Sequence, residues 1–174
     1  MKIAVIGYSG SGKSTLARTL GAFYHCKVLH LDTVQFTPNW VERDREESIT
    51  MVRDFLDREE SWVIDGNYSW CLQERRLEEA DRIIFMDFGR WTCLSRAWKR
   101  YRTYRGKSRP DMTEGCDEKL DWEFIRWILW DGRTAERKAH FAAIGVRYPE
   151  KMTVIHDQLE LDAFTQRYLK TGDG

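Results

Sequence analysis

Eight consecutive residues, Gly7-Tyr8-Ser9-Gly10-Ser11-Gly12-Lys13-Ser14, bring glycines, serines and one lysine together at the spacing G-x-x-x-x-G-K-S. Gly7, Gly10 and Gly12 can reach backbone angles closed to other residues, which lets main-chain N–H groups approach an anion closely. Lys13 adds a mobile positive charge suited to β- and γ-phosphates, and the Ser14 hydroxyl is spaced to ligate Mg²⁺. Gly7, Ser9, Gly10, Ser11, Gly12, Lys13, Ser14 and Thr15 therefore form a candidate cradle for a nucleoside triphosphate, with ATP and Mg²⁺ the expected cofactors. Such a loop needs a strand before it and a helix behind it. Ile3-Ala4-Val5-Ile6 is an apolar run, and Thr15-Leu16-Ala17-Arg18-Thr19-Leu20 reads as a helix whose free N–H groups and positive dipole end face the same point.

Further apolar runs end in carboxylates: Leu29-His30-Leu31-Asp32, Trp62-Val63-Ile64-Asp65 and Ile83-Ile84-Phe85-Met86-Asp87. In an open α/β sheet ligands sit beyond the carboxyl ends of the strands, so all three aspartates can converge near the phosphates. The runs ending at Asp65 and Asp87 both suit an aspartate associated with Mg²⁺. An aspartate that merely starts a turn gives the same pattern.

From Leu94 to Arg109 the chain carries Arg96, Lys99, Arg100, Arg102, Arg105, Lys107 and Arg109 with no acidic residue, and Trp98, Tyr101 and Tyr104 lie between them. Basic side chains with aromatic platforms suit single-stranded nucleic acid. Arginines on a flap that closes over transferring phosphates have the same composition, as does a solvated basic face whose stems cover apolar surface. The flap is favoured because the glycine-rich loop gives it something to cover. On a helix Arg96 and Arg100 share one face, with Lys99 and Arg102 in a neighbouring row. Gly106 and Gly115 flank a loop able to hinge. Trp40, in a loop shortly after Asp32, marks a place where an acceptor can dock.

Stepping along the 174 residues gives the elements that must hold these groups. Strands are expected at Lys27–Asp32, Trp62–Asp65, Arg82–Asp87 and Thr153–His156, in addition to the one before the loop. Helices are expected to end near Phe23 and to cover Glu42–Arg58, Gln73–Glu79, Thr92–Arg105, a stretch from Leu120 to near Gly132, Arg133–Ile144 and Leu159–Leu169. Thr37-Pro38-Asn39-Trp40 reads as a turn, and the last few residues as frayed. Strands alternating with helices imply a parallel sheet covered on both faces. The length suits one domain, residues 1–174, with a lid segment at about 94–130.

Lys plus Arg equals Asp plus Glu at 28 each, a balance that argues against a general nucleic-acid binder. No apolar run is long enough to cross a membrane, and the amino terminus enters a strand directly, leaving no room for a signal peptide. Cys26, Cys71, Cys93 and Cys116 are widely spaced without a C-x-x-C pair, so reduced thiols and a cytoplasmic location are expected. The four histidines do not cluster as a metal centre would require.

Taken together, Gly7–Ser14, Leu29-His30-Leu31-Asp32, Pro38-Asn39-Trp40, Trp62-Val63-Ile64-Asp65-Gly66-Asn67-Tyr68 and Ser108-Arg109-Pro110-Asp111-Met112 resemble the small P-loop proteins called DNA topology modulation proteins, also described as adenylate-kinase-related kinases. More widely the chain resembles nucleoside-monophosphate kinases and the shikimate and gluconate kinases. That resemblance implies a five-stranded parallel sheet in the order 2-3-1-4-5, an acceptor-binding region after the second strand and an arginine-bearing lid. It places Asp32 where an acceptor hydroxyl is held and Asp65 where the Mg²⁺-associated aspartate lies. Asn67-Tyr68 stand where adenylate kinases carry aromatic-Pro-Arg, which removes one contact to an acceptor phosphate. The resulting expectation is an ATP- and Mg²⁺-dependent phosphotransferase acting on a small molecule, with Lys13, Asp32, Arg96 and Arg100 as catalytic residues and Ser14 and Asp65 as metal ligands. A nucleic-acid-associated ATPase is the alternative, followed by a regulatory nucleotide-binding module without turnover.

Overall fold

Val5, Ile6, Ile64, Ile83 and Ile84 belong to strands buried on both faces, which is why their runs are almost continuously apolar. A computed structural model describes residues 1–171. The chain runs β1 (Lys2–Gly7), α1 (Lys13–Phe23), β2 (Lys27–His30), α2 (Leu31–Gln35), β3 (Phe36–Thr37), β4 (Val41–Glu42), α3 (Arg45–Arg58), β5 (Trp62–Asp65), α4 (Gln73–Glu79), β6 (Arg82–Met86), α5 (Arg90–Tyr104), α6 (Trp122–Leu129), α7 (Ala135–Arg147), β7 (Met152–Ile155) and α8 (Gln158–Thr171). One sheet has the order β2-β5-β1-β6-β7, all parallel, which is 2-3-1-4-5 when its five strands are counted along the chain. The expected architecture is therefore present. β3 and β4 form a separate antiparallel hairpin around Pro38–Trp40.

Register decides what meets at the sheet's carboxyl edge. Val5 pairs with Asp65 on one side and Ile84 on the other, and His30 pairs directly with Asp65. Helices pack on both faces through apolar stripes: α3 buries Val52, Phe55 and Leu56, each contributing about 1.5–3 kcal/mol of burial. Several helices begin with side-chain caps, among them α8, where Asp157 accepts from the Glu160 N–H. Asp44 accepts from the Glu46 and Glu47 N–H groups, Asp121 from that of Phe124, and Thr134 from that of Arg137. α1 begins at Gly12 with no side-chain cap, so its first N–H groups stay available.

Several expected boundaries shift, among them the start of α3, at Arg45 where Glu42 is expected, because Val41–Glu42 pairs as β4. β2 stops at His30 rather than Asp32, and Leu31–Gln35 is a short helix with Asp32 in its first turn, where an acidic side chain complements the helix dipole. Asp87 lies one residue beyond β6. α5 begins at Arg90, and Cys93 and Ala97 on it are buried in the core, so its first half belongs to the packed body. The expected fraying of the last few residues lies outside the described residues. Among those described, no helix is long and apolar enough to cross a membrane.

Candidate active site

Gly7 and Gly10 show why the loop tolerates no side chain at these positions. Gly7 takes φ 141°, and a Cβ there would lie 2.6 Å from the Met86 carbonyl oxygen; Gly10 takes φ 80°, and its Cβ would lie 2.4 Å from the Cys93 carbonyl oxygen. The loop is thus pressed against β6 and the start of α5. Asn67, just past β5, clasps it from the other side. Its Oδ1 accepts from the Gly7 N–H at 3.0 Å and its Nδ2 donates to the Gly7 carbonyl.

Behind the loop, the Ser14 hydroxyl donates to Asp65 Oδ2 at 2.8 Å. The other oxygen of Asp65 accepts from His30 Nδ1, and Asp65 is almost fully buried. Burial alone would lower the His30 pKa, but its hydrogen bond to Asp65 and the charge of that carboxylate outweigh burial and leave it raised. Lys13 donates from Nζ to the Tyr8 carbonyl at 3.0 Å. Burial pushes its ammonium below the ordinary value, opposed by the charges of Asp65 and Asp32 and reinforced by Arg100. Asp32, Asp65 and Arg100 therefore each lie within electrostatic reach of Lys13.

The donor set suits Mg²⁺. A hydroxyl and a carboxylate converge at the loop, both hard oxygen ligands. Among the described residues no three His, Cys, Asp or Glu side chains form a group able to hold a metal ion by themselves. Asp87 faces elsewhere: its N–H donates to the Ile155 carbonyl, and its carboxylate sits 3.4 Å from His156 Nδ1.

Asp32 Oδ1 accepts from the Tyr68 hydroxyl at 2.8 Å. Burial and the neighbouring Asp32 charge raise the phenol's pKa, so it remains a donor across the working pH range. The turn carrying Tyr68 is fixed from beneath. Arg76 is buried and donates to the carbonyls of Cys71 and Tyr68 at 2.9 and 2.8 Å, and burial lowers its pKa to about 10.

The basic segment finds partners from later in the chain. Glu118, buried, accepts from Arg100 and Arg109 at 2.7 Å each, and Arg109 also meets Asp111 at 3.0 Å. Arg96 donates to the Ser11 carbonyl and to Gln158, and it stacks on Phe88 with 4.1 Å between guanidinium and ring centre. Arg96 and Arg100 thus turn inward while Lys99 and Arg102 face solvent. Trp40 is partly exposed and is tied down along one edge. Its indole donates to the Asp117 carbonyl at 3.1 Å, beside contacts from Asn39 to Gly115 and from Thr113 to Phe36, which fasten the loop after α5 to the β3–β4 hairpin.

A cavity of about 540 Å³ opens beside the loop, lined among others by Tyr8, Ser9, Asn67, Trp127, Arg133 and Arg137. The Trp127 indole donates to the Ser9 hydroxyl at 3.1 Å, and Arg137 lies 4.5 Å above the Trp127 ring. Arg133 lies 3.8 Å from the centre of the Tyr8 ring and donates to the Phe88 carbonyl at 2.7 Å. Asp32 is not part of this lining; Tyr68, the neighbour of the lining residues Asn67 and Ser69, is what reaches it. Sequence reasoning missed His30, Trp127, Arg133 and Arg137 as site residues, and only the register and long-range packing bring them there.

No family model and no curated protein sequence matches the chain. Solved structures do. A shikimate kinase from Acinetobacter baumannii in complex with shikimate matches at 16% identity and a TM-score of 0.55, over 99% of this chain and 95% of the other. A shikimate kinase from Bacteroides thetaiotaomicron matches at 16% identity and a TM-score of 0.53, over 98% and 96% respectively. The chain has the P-loop kinase fold of these enzymes. At this identity the likeness is one of fold.

Proposed function

We propose that the protein is a phosphotransferase that moves the γ-phosphoryl group of ATP to a hydroxyl or phosphate of a small molecule. The observation that carries this reading is the meeting of Ser14 and Asp65 at 2.8 Å behind a glycine loop that opens into an uncapped helix. Ser14 and Asp65 would hold Mg²⁺, which would supply positive charge against the phosphates. The loop N–H groups at the start of α1 bind and orient the phosphate chain. Lys13 exchanges the Tyr8 carbonyl for the phosphates. Asp32, with one oxygen held by Tyr68, keeps the other free to orient the acceptor hydroxyl and take its proton.

Arg96, on the packed first half of α5, and Arg100 steady the transferring charge, and the part of the 94–130 segment beyond that half acts as the lid that excludes water, a competing acceptor. The cavity beside Ser9 has the volume of a small-molecule site, and Arg133 and Arg137 suit an anionic substituent. Three of the seven basic side chains in the segment, Arg96, Arg100 and Arg109, are engaged internally, which favours a lid over a nucleic-acid track.

The test is an acceptor screen with γ-labelled ATP against nucleosides, nucleotides, sugars and polyol acids. Label moving to one acceptor class supports the proposal. Label released only as inorganic phosphate, and only when DNA is added, supports the nucleic-acid ATPase instead.

A further inference from the structure

We propose that His30 is a positioning residue for the metal-associated carboxylate, clamping Asp65 so that its second oxygen stays aimed at Ser14. The inference rests on the phosphotransfer reading of the loop. His30 and Asp65 are direct partners in the parallel register of β2 and β5, so both side chains leave the sheet's carboxyl edge at one level. Asp65 Oδ1 is taken by His30 Nδ1 and Oδ2 by the Ser14 hydroxyl. An ionised carboxylate only accepts, so the nitrogen facing it carries the proton.

This arrangement resolves a physical difficulty. Asp65 is 4% exposed, and a buried carboxylate left with a single hydroxyl partner would be poorly compensated and free to turn about its last bond. With His30 in place, only one orientation satisfies both oxygens. The clamp is itself braced, since the His30 carbonyl accepts from the Thr33 hydroxyl at 2.7 Å at the start of α2. Two residues further, Asp32 meets Tyr68, so the ends of β2 and β5 are laced twice. Groups that orient a ligating carboxylate typically matter for metal affinity by about 10–100-fold.

The test compares His30→Leu, His30→Asn and His30→Gln, because an asparagine amide nitrogen overlies Nδ1 of histidine and a glutamine amide nitrogen overlies Nε2. The reading is the Mg²⁺ concentration that half-saturates the ATP-dependent rise in melting temperature, with the ATP-induced rise in EDTA measured alongside. His30→Leu and His30→Gln are expected to need about 10–100-fold more Mg²⁺, with the response to ATP in EDTA unchanged and His30→Asn close to wild type. If His30→Leu does not fold, the contrast between Asn and Gln decides alone. Wild-type Mg²⁺ dependence in His30→Gln, or an equal loss of the metal-free ATP response, overturns the inference and leaves the phosphotransfer reading standing. A wild-type protein whose response to ATP ignores Mg²⁺ overturns both.

Discussion

The Tyr68 hydroxyl donates to Asp32 Oδ1 at 2.8 Å, linking the turn after β5 to the first turn of α2. One carboxylate oxygen is thereby occupied, and the proposed function assigns the other to the acceptor hydroxyl. Asp32→Asn should lower acceptor-dependent turnover by about 10²–10⁴-fold, the range for losing a positioned base. Tyr68→Phe should lower it less, and neither variant should change the KM for ATP. Steady-state kinetics varying ATP and acceptor separately checks this, and a raised KM for ATP in Asp32→Asn would count against the assignment.

Asp65 and Asp87 end neighbouring apolar runs, yet only Asp65 meets Ser14. Asp65→Asn should raise the Mg²⁺ requirement at least about tenfold, because a neutral amide is a poorer partner for a hard cation or its water. Asp87→Asn should leave it unchanged. The Mg²⁺ dependence of turnover in both variants decides, and the opposite ranking would move the metal site to β6.

Arg100 shares the buried Glu118 with Arg109. As part of the lid, Arg100→Ala should cost about ten- to a thousand-fold in turnover, the scale for removing one positioned charge-stabilising group. DNA affinity should be negligible in wild type and variant at two salt concentrations. Tight, salt-sensitive DNA binding by the wild type that disappears in the variant with turnover intact would reassign the segment.

Gly10 combines φ 80° with a Cβ position 2.4 Å from the Cys93 carbonyl oxygen. Gly10→Ala should destabilise the protein by about 1–3 kcal/mol through backbone strain alone, with the clash adding to it. Denaturant unfolding of both proteins measures the difference, and an unchanged midpoint would mean that the loop and α5 are not held together in this way.

Much of this was legible because it is local. The spacing of Gly7–Ser14 and the apolar runs around Ile64 and Ile84 are read within a few residues and point to a parallel sheet, whose strand order is the one that the family resemblance implies. Asp32 was misplaced at a strand end because Leu31–Gln35 is too short a helix to show a period. The pairing of Arg100 and Arg109 with Glu118 escaped notice because the acid follows the basic run and returns to it only through the folded loop. His30 was read as one strand residue among others, since only the register sets it beside Asp65. Trp127 reaches Ser9 across more than a hundred residues, a contact no local pattern announces.

The most direct measurement is ATP binding by wild type and Lys13→Met with Mg²⁺ present, by calorimetry, together with the stability of each protein without nucleotide. Lys13 is half-buried, and among the described residues its ammonium donates one hydrogen bond, to the Tyr8 carbonyl, so Lys13→Met should fold and stay close to wild type in stability when nucleotide is absent. The wild type should bind ATP in a Mg²⁺-dependent manner, and the variant should lose about ten- to a thousand-fold in affinity. Equal ATP affinity in a folded Lys13→Met protein would contradict the account at its centre.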